Sequence, residues 1–127
     1  MTKEIIRTTD GPTPIGPYSQ AVKLGNLVFV SGMGPIDPAT GNLVGGSAED
    51  QTRRVMLNLK AVLEAAGASL DSVVKTTCFL SDLNNFKAFN GVYGEFFTTN
   101  PPARSTIQAA RLPMDIAVEV EAIAEVL

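Results

Sequence analysis

The chain contains no histidine and one cysteine, Cys78. Ser/His and Cys/His dyads, zinc sites of the Cys/His type and internal disulfides are therefore ruled out before any fold is considered. The reactive groups that remain are carboxylates, guanidiniums, amines, phenols and hydroxyls. Among these, Arg104 stands out because it directly follows Pro101-Pro102-Ala103. Prolines restrict the backbone just before it, so its planar five-donor fork is aimed with little entropy left to lose, and such a fork grips a carboxylate through two parallel hydrogen bonds. The same position also suits a structural ion pair with a glutamate on a neighbouring strand. Glu119 lies between Val118 and Val120. Partial burial there raises a carboxyl pKa toward neutrality and allows it to take a proton from a bound water and return it; a solvated strand face shared with Glu121 is the alternative.

Several further residues surround this pair in chemistry if not in sequence. Tyr18 closes the segment Ile15-Gly16-Pro17-Tyr18, and Ser31-Gly32 precedes a long glycine-rich stretch. Gly32 permits close approach of a backbone N–H to a ligand, but the stretch has neither the lysine and spacing of a phosphate loop nor a GxGxxG pattern. Asn90 is either a satisfied buried amide or a polar contact on a pocket wall. Arg111 reads as a surface or ion-pair residue, and Cys78 as a small buried hydrophobe.

The elements that must position these groups are legible from spacing. Lys3 to Thr8 is compatible with a short strand. Ala21 to Leu24 and Leu27 to Ser31 flank Gly25-Asn26 and predict a β-hairpin with a two-residue turn. Ser47 three residues before Asp50 predicts a helix start. Val55, Leu59, Val62, Leu63 and Ala66 then follow at helical spacing until Gly67. Val73 to Leu80 predicts a strand with Val74, Thr76, Cys78 and Leu80 on one face and Val73, Lys75, Thr77 and Phe79 on the other. Phe86, Phe89, Tyr93, Phe96 and Phe97 form one stripe on a second helix anchored in the core. Beyond Pro101-Pro102, Arg104 to Gln108 predicts a short strand. Ile116 to Ala124 alternates, with Val118, Val120, Ala122 and Ala124 on one side and Glu119 and Glu121 on the other. This order predicts an α+β fold: a mixed sheet with two helices packed on one face. The opposite face, with Lys75, Thr77, Phe79, Glu119 and Glu121, is half-apolar and suited to a neighbouring subunit.

A length of 127 residues suits one domain spanning 1–127, and a 45% apolar composition supplies a core without crosslinks. The net charge of −3 opposes a nucleic-acid partner. The apolar runs are too short for a membrane span, and the charged N-terminus lacks the apolar stretch of a signal peptide, so a cytoplasmic location is expected.

Taken together, Ile15-Gly16-Pro17-Tyr18-Ser19-Gln20-Ala21, Val30-Ser31-Gly32, Val74-Lys75-Thr76-Thr77, Pro102-Ala103-Arg104-Ser105, Arg111-Leu112-Pro113 and Val118 to Ala124 form an ordered set of motifs. Through them the chain resembles, essentially end to end, the Rid family of YjgF-like reactive intermediate or imine deaminases. The resemblance implies a chorismate-mutase-like fold, a homotrimer and clefts between adjacent subunits. By motif position it further implies that Arg104 binds a substrate carboxylate, that Glu119 positions water, and that Tyr18, Ser31, Gly32, Asn90 and Thr106 line the cleft. Thr106 stands where many members have Cys, and Met33, at the expected pocket rim, where many have Gln. The implied reaction is hydrolysis of 2-imino acids such as 2-iminopropanoate and 2-iminobutanoate to 2-keto acids and ammonia, with no cofactor or metal. A non-catalytic trimer that binds small carboxylic acids would carry the same clamp and pocket. RNA cleavage, attached to relatives, is opposed by the acidic balance and the absence of histidine and would need a basic stripe formed on trimer assembly; a stress-induced chaperone-like role has no handle in the sequence.

Overall fold

A computed structural model describes residues 2–127. Six strands make one sheet in the order β1-β2-β3-β6-β4-β5: β1 Glu4–Ile6, β2 Ala21–Leu24, β3 Leu27–Met33, β4 Val73–Leu80, β5 Ala103–Gln108 and β6 Val118–Glu125. All neighbours are antiparallel except β4 and β5, which run parallel and are joined through a helix. Helices α1 (Ala48–Ala65) and α2 (Phe86–Phe96) pack against each other and, with α1 lying over β3 and β6, close the core on one face of the sheet. The mixed sheet and the two helices on one face agree with the α+β expectation.

Local chemistry explains the boundaries. Leu24 pairs with Leu27 across Gly25-Asn26, and Gly25 adopts φ +62°, a left-handed value that favours glycine. Ser47 Oγ accepts the Asp50 N–H at 3.1 Å, capping α1 as its spacing predicts. At the far end Gly67 takes φ +81°, its N–H reaching Glu64 O and that of Ala68 reaching Leu63 O, a Schellman closure. Val55, Leu59, Val62 and Leu63 are fully buried, as their periodicity requires.

Two bulges depart from strict alternation. In β4, Val73 pairs with Ala124 and Lys75 with Ile123, so Val74 is the extra residue. Val73 is buried and Val74 is 50% exposed, the reverse of the predicted face assignment, because one inserted residue inverts the side-chain phase. In β3, Val30 pairs with Ala122 but Met33 with Val120, placing Ser31 and Gly32 together in the irregular step opposite Glu121. Val30 and Met33 both enter the core as a result. Met33 is thus a core residue, not part of a pocket rim. The aromatic stripe is also only partly a core anchor: Phe89 and Tyr93 are buried, whereas Phe86 is exposed and Phe96 and Phe97 are half-buried.

Candidate functional site

Arg104 is paired in register with Thr76, a fully buried residue, so its side chain lies on the helix-covered side of edge strand β5. There the guanidinium sits over the exposed end of the aromatic stripe. Its Cζ lies 5.5, 5.8 and 4.9 Å from the ring centroids of Phe86, Phe89 and Tyr93. Each such placement contributes roughly 0.5–2 kcal/mol depending on desolvation, and three rings together restrict the fork to a narrow range of orientations. Nη1 donates to Asn90 Oδ1 at 2.7 Å, the one hydrogen bond Arg104 makes among the described residues, where no carboxylate pairs with it. The structural ion pair weighed from sequence is therefore absent among those residues, which leave the other guanidinium donors without a hydrogen bond.

The platform beneath is itself fastened. Tyr93 Oη and Thr76 Oγ1 are 2.8 Å apart in the core, and the Phe89–Tyr93 and Tyr93–Phe97 rings tilt against each other with centroids 5.3 and 4.9 Å apart. Burial pushes the Tyr93 hydroxyl and the Cys78 thiol up in pKa, so both stay protonated. Thr106 shares the side of Arg104 on β5; its Oγ1 is enclosed with no hydrogen-bond partner among the described residues.

Glu119 lies on the other face. Its neighbours Val118 and Val120 are fully buried, and it pairs across with Phe79 on the open side of the sheet. It lines a cleft of about 420 Å³ whose polar groups come from Tyr18, Ser31 and Glu121 and whose aliphatic lining includes Ile36, Met114 and Ile116, with Gly32 also at its surface. Burial, with the charge of Glu121 adding to it, raises the Glu119 pKa above the usual carboxylate range. Gly32 is required by close approach: an ideal Cβ there would overlap Glu119 Oε2 and stand 2.7 Å from Cδ. The bulge brings Ser31 beside it, where Oγ donates to Ser19 O at 2.6 Å and the Ser31 N–H to Gln20 O at 2.9 Å. These bonds tie the cleft floor to the segment carrying Tyr18, whose ring is half exposed and whose N–H donates to Gly16 O at 2.8 Å.

The structure thus brings the expected residues together in two groups: Tyr18, Ser31, Gly32 and Glu119 on the open face, and Arg104, Asn90 and Thr106 on the covered side. Within one protomer these groups occupy opposite faces and do not form one pocket. Arg111 binds Asp115 through 2.7 and 3.1 Å contacts at the rim and joins neither group. Sequence reading missed the aliphatic walls, Ile36, Met114 and Ile116, and it took Phe86 for a core residue. The signal for Phe86 was available, since Asn90 follows it by one helical turn. Among the described residues no cluster of three or more acidic or cysteine side chains could hold a metal, and no helix is long and apolar enough to cross a membrane.

A mixed sheet backed by two helices, presenting on one side an arginine unpaired among the described residues and on the other a carboxylate of raised pKa, defines a small α+β protein with polar groups gathered on both faces of one sheet. The family profile described as Endoribonuclease L-PSP matches residues 8–126, and the chain belongs to that family, the YjgF/RutC or Rid family. A RutC family protein of Pyrococcus abyssi is 55% identical over 124 residues, 98% of each chain. The Reactive Intermediate Deaminase A, chloroplastic, of Arabidopsis thaliana is 48% identical, covering 98% of this chain and 66% of its own length. The structure also superimposes on that of E. coli TdcF with bound serine, with a TM-score of 0.92 and 45% identity over 96% of this chain and 98% of that one.

Proposed function

We propose that the protein hydrolyses reactive 2-imino acids and their enamine tautomers, 2-iminopropanoate and 2-iminobutanoate among them, to 2-keto acids and ammonia, in clefts between adjacent copies of a homotrimer. The observation that carries this reading is the division of the site. A guanidinium without a carboxylate partner among the described residues lies on one side of the sheet and a carboxylate of raised pKa on the other. Each is a half that a second copy can complete, and the half-apolar open face is a surface for that copy. The Arabidopsis relative's name, and the amino acid carried by the E. coli relative, support the substrate class.

In this reading Arg104 of one copy holds the substrate carboxylate, with Asn90 and the three rings keeping the fork in place. Glu119 of the adjacent copy accepts a proton as a water oxygen bonds to the imine carbon. Glu119 returns that proton to the imine nitrogen to give the carbinolamine, then relays the carbinolamine's hydroxyl proton to the same nitrogen; as the C–N bond breaks the oxygen closes to C=O, and ammonia leaves with the keto acid behind. Imines hydrolyse unaided in water, so orientation plus general acid–base assistance, typically worth ~10²–10⁴-fold for the latter, is sufficient chemistry. Thr106, Tyr18, Ser31 and Gly32 line the path.

The test couples a threonine dehydratase to the purified protein and follows imine absorbance, with a sizing column run beside it. Wild type accelerates the decay, and Arg104→Ala abolishes acceleration while the assembly stays intact. If wild type binds 2-oxobutanoate but does not accelerate decay, the protein is the acid-binding trimer instead; equal rates for wild type and Arg104→Ala refute the clamp.

A further inference from the structure

Helix α1 carries two side-chain amides, Gln51 and Asn58, two turns apart on one face. Gln51 Oε1 accepts the backbone N–H of Ala117 at 2.8 Å. Asn58, fully buried, donates from Nδ2 to Gly34 O at 3.0 Å and to Ile36 O at 2.8 Å. Its Oδ1 in turn accepts from Arg54 Nε and Nη2 at 3.1 and 2.8 Å. The backbone so held belongs to, or directly follows, two segments that line the open-face cleft as its walls, Gly34 and Ile36 in one and Pro113, Met114 and Ile116 in the other. The walls meet, since a Cβ placed on Gly34 would stand 3.2 Å from Ile116 Cδ1.

The second wall is under strain. Met114 and Asp115 hold φ values of +58° and +55°, which side-chain-bearing residues adopt only when their surroundings over-determine them. The surroundings here are the Arg111–Asp115 ion pair before the turn and Ala117 after it. Ala117 is tied on both sides, its N–H to Gln51 and its carbonyl accepting the Ser81 N–H at 3.0 Å. Strand β6 begins at the next residue, and Glu119 is the second residue in it.

We infer that Gln51 is a positioning residue for Glu119. By fixing Ala117 it sets where β6 begins and hence where the carboxylate points, while Asn58 fixes the facing wall. Helix α1, on the covered face, thereby sets the shape of a cleft it does not line. This inference rests on the deaminase reading for its kinetic consequences and on the hydrogen bonds alone for its structural ones.

Two variants and two measurements test it. Gln51→Met keeps length and helix preference but removes the acceptor; Gln51→Glu keeps an acceptor. In the coupled imine assay, Gln51→Met is expected to lower kcat about tenfold, the effect of one misplaced or unmet hydrogen bond, with KM within about twofold because Arg104 sets binding. Gln51→Glu is expected to recover most of kcat. The midpoint of the rise of kcat with pH should shift in Gln51→Met, which a loss of stability alone does not produce. A Gln51→Met kcat within about twofold of wild type, or a Gln51→Glu variant as impaired as Gln51→Met, overturns the inference. If wild type has no deaminase activity, it is the functional reading that fails, and amide exchange decides the clamp. Exchange over residues 114–117 is expected to accelerate in Gln51→Met with α1 amides unchanged, and equal exchange overturns it. Should Gln51→Met not fold, the wild-type Ala117 amide must exchange as slowly as those of β6; exchange as fast as that of Met114 overturns the clamp.

Discussion

Replacing Gly32 by alanine is the sharpest probe of the open-face half-site. The added Cβ would overlap Glu119 Oε2 and lie 2.7 Å from Cδ and 3.0 Å from Cγ, where ordinary contact begins at 3.4 Å. Three atoms of one side chain, Cγ included, are hit at once, so turning the carboxylate in place does not clear them; only a rotation about χ1 does, and it carries the whole carboxyl away. Gly32 has no positive φ, so the backbone itself tolerates alanine and the cost falls on the carboxylate. A displacement of about 1 Å in a reacting geometry costs on the order of 10²-fold, and the expected result is a kcat lowered by about that factor with KM little changed. The variant should stay folded, since the displaced group is a half-buried acid that gains solvent. The assay is the coupled imine decay on purified Gly32→Ala, Glu119→Gln and the double variant, with thermal melts of each. Because the effect acts through Glu119, adding Gly32→Ala to Glu119→Gln should cost much less than Gly32→Ala costs alone. A Gly32→Ala enzyme with wild-type kcat, or full additivity with Glu119→Gln, would refute the reasoning.

Arg104→Lys keeps the charge but replaces the fork by a point donor, losing about one charge-assisted hydrogen bond of ~1.5–3 kcal/mol, so kcat/KM should fall roughly 10- to 150-fold in the same assay. Glu119 has a folded-state pKa raised above its unfolded value, so the native state holds the proton more tightly and ionising this group destabilises the fold as pH climbs from the unfolded pKa through the folded one. Glu119→Gln should accordingly raise the Tm near pH 7 relative to wild type and leave it almost unchanged near pH 4; a lower Tm at pH 7 contradicts the assignment. Glu121 is the second cause of that shift, so Glu121→Gln should move the midpoint of the kcat–pH rise downward. Tyr93→Phe strands the buried Thr76 hydroxyl, costing about 1–3 kcal/mol and several degrees of Tm, yet leaves the ring under Arg104, so kcat/KM should hold within about twofold; a large loss would show that the hydroxyl, not the ring, supports the guanidinium.

Much of the fold can be read without coordinates because its signals are local. The Ser47 cap, the Gly67 closure, the Gly25-Asn26 turn and the alternation of Val118 to Ala124 depend on residues within a few positions of one another, and each forms as its spacing predicts. The motif set likewise named the residues that gather on the two faces, Tyr18, Ser31, Gly32 and Glu119 on one and Asn90, Arg104 and Thr106 on the other. The sequence could not show the bulges at Ser31-Gly32 and Val74, since a bulge is a mismatch between two strands and neither strand records it alone. Nor could it show that β5 lies parallel to β4 with Arg104 opposite Thr76, which turns the guanidinium toward Phe86, Phe89 and Tyr93 and away from Glu119. Residue identity determined which groups could react. Register, set by pairing between strands far apart in the chain, decided that they face opposite sides of one sheet, because a side chain's side follows from strand phase and not from its neighbours in sequence.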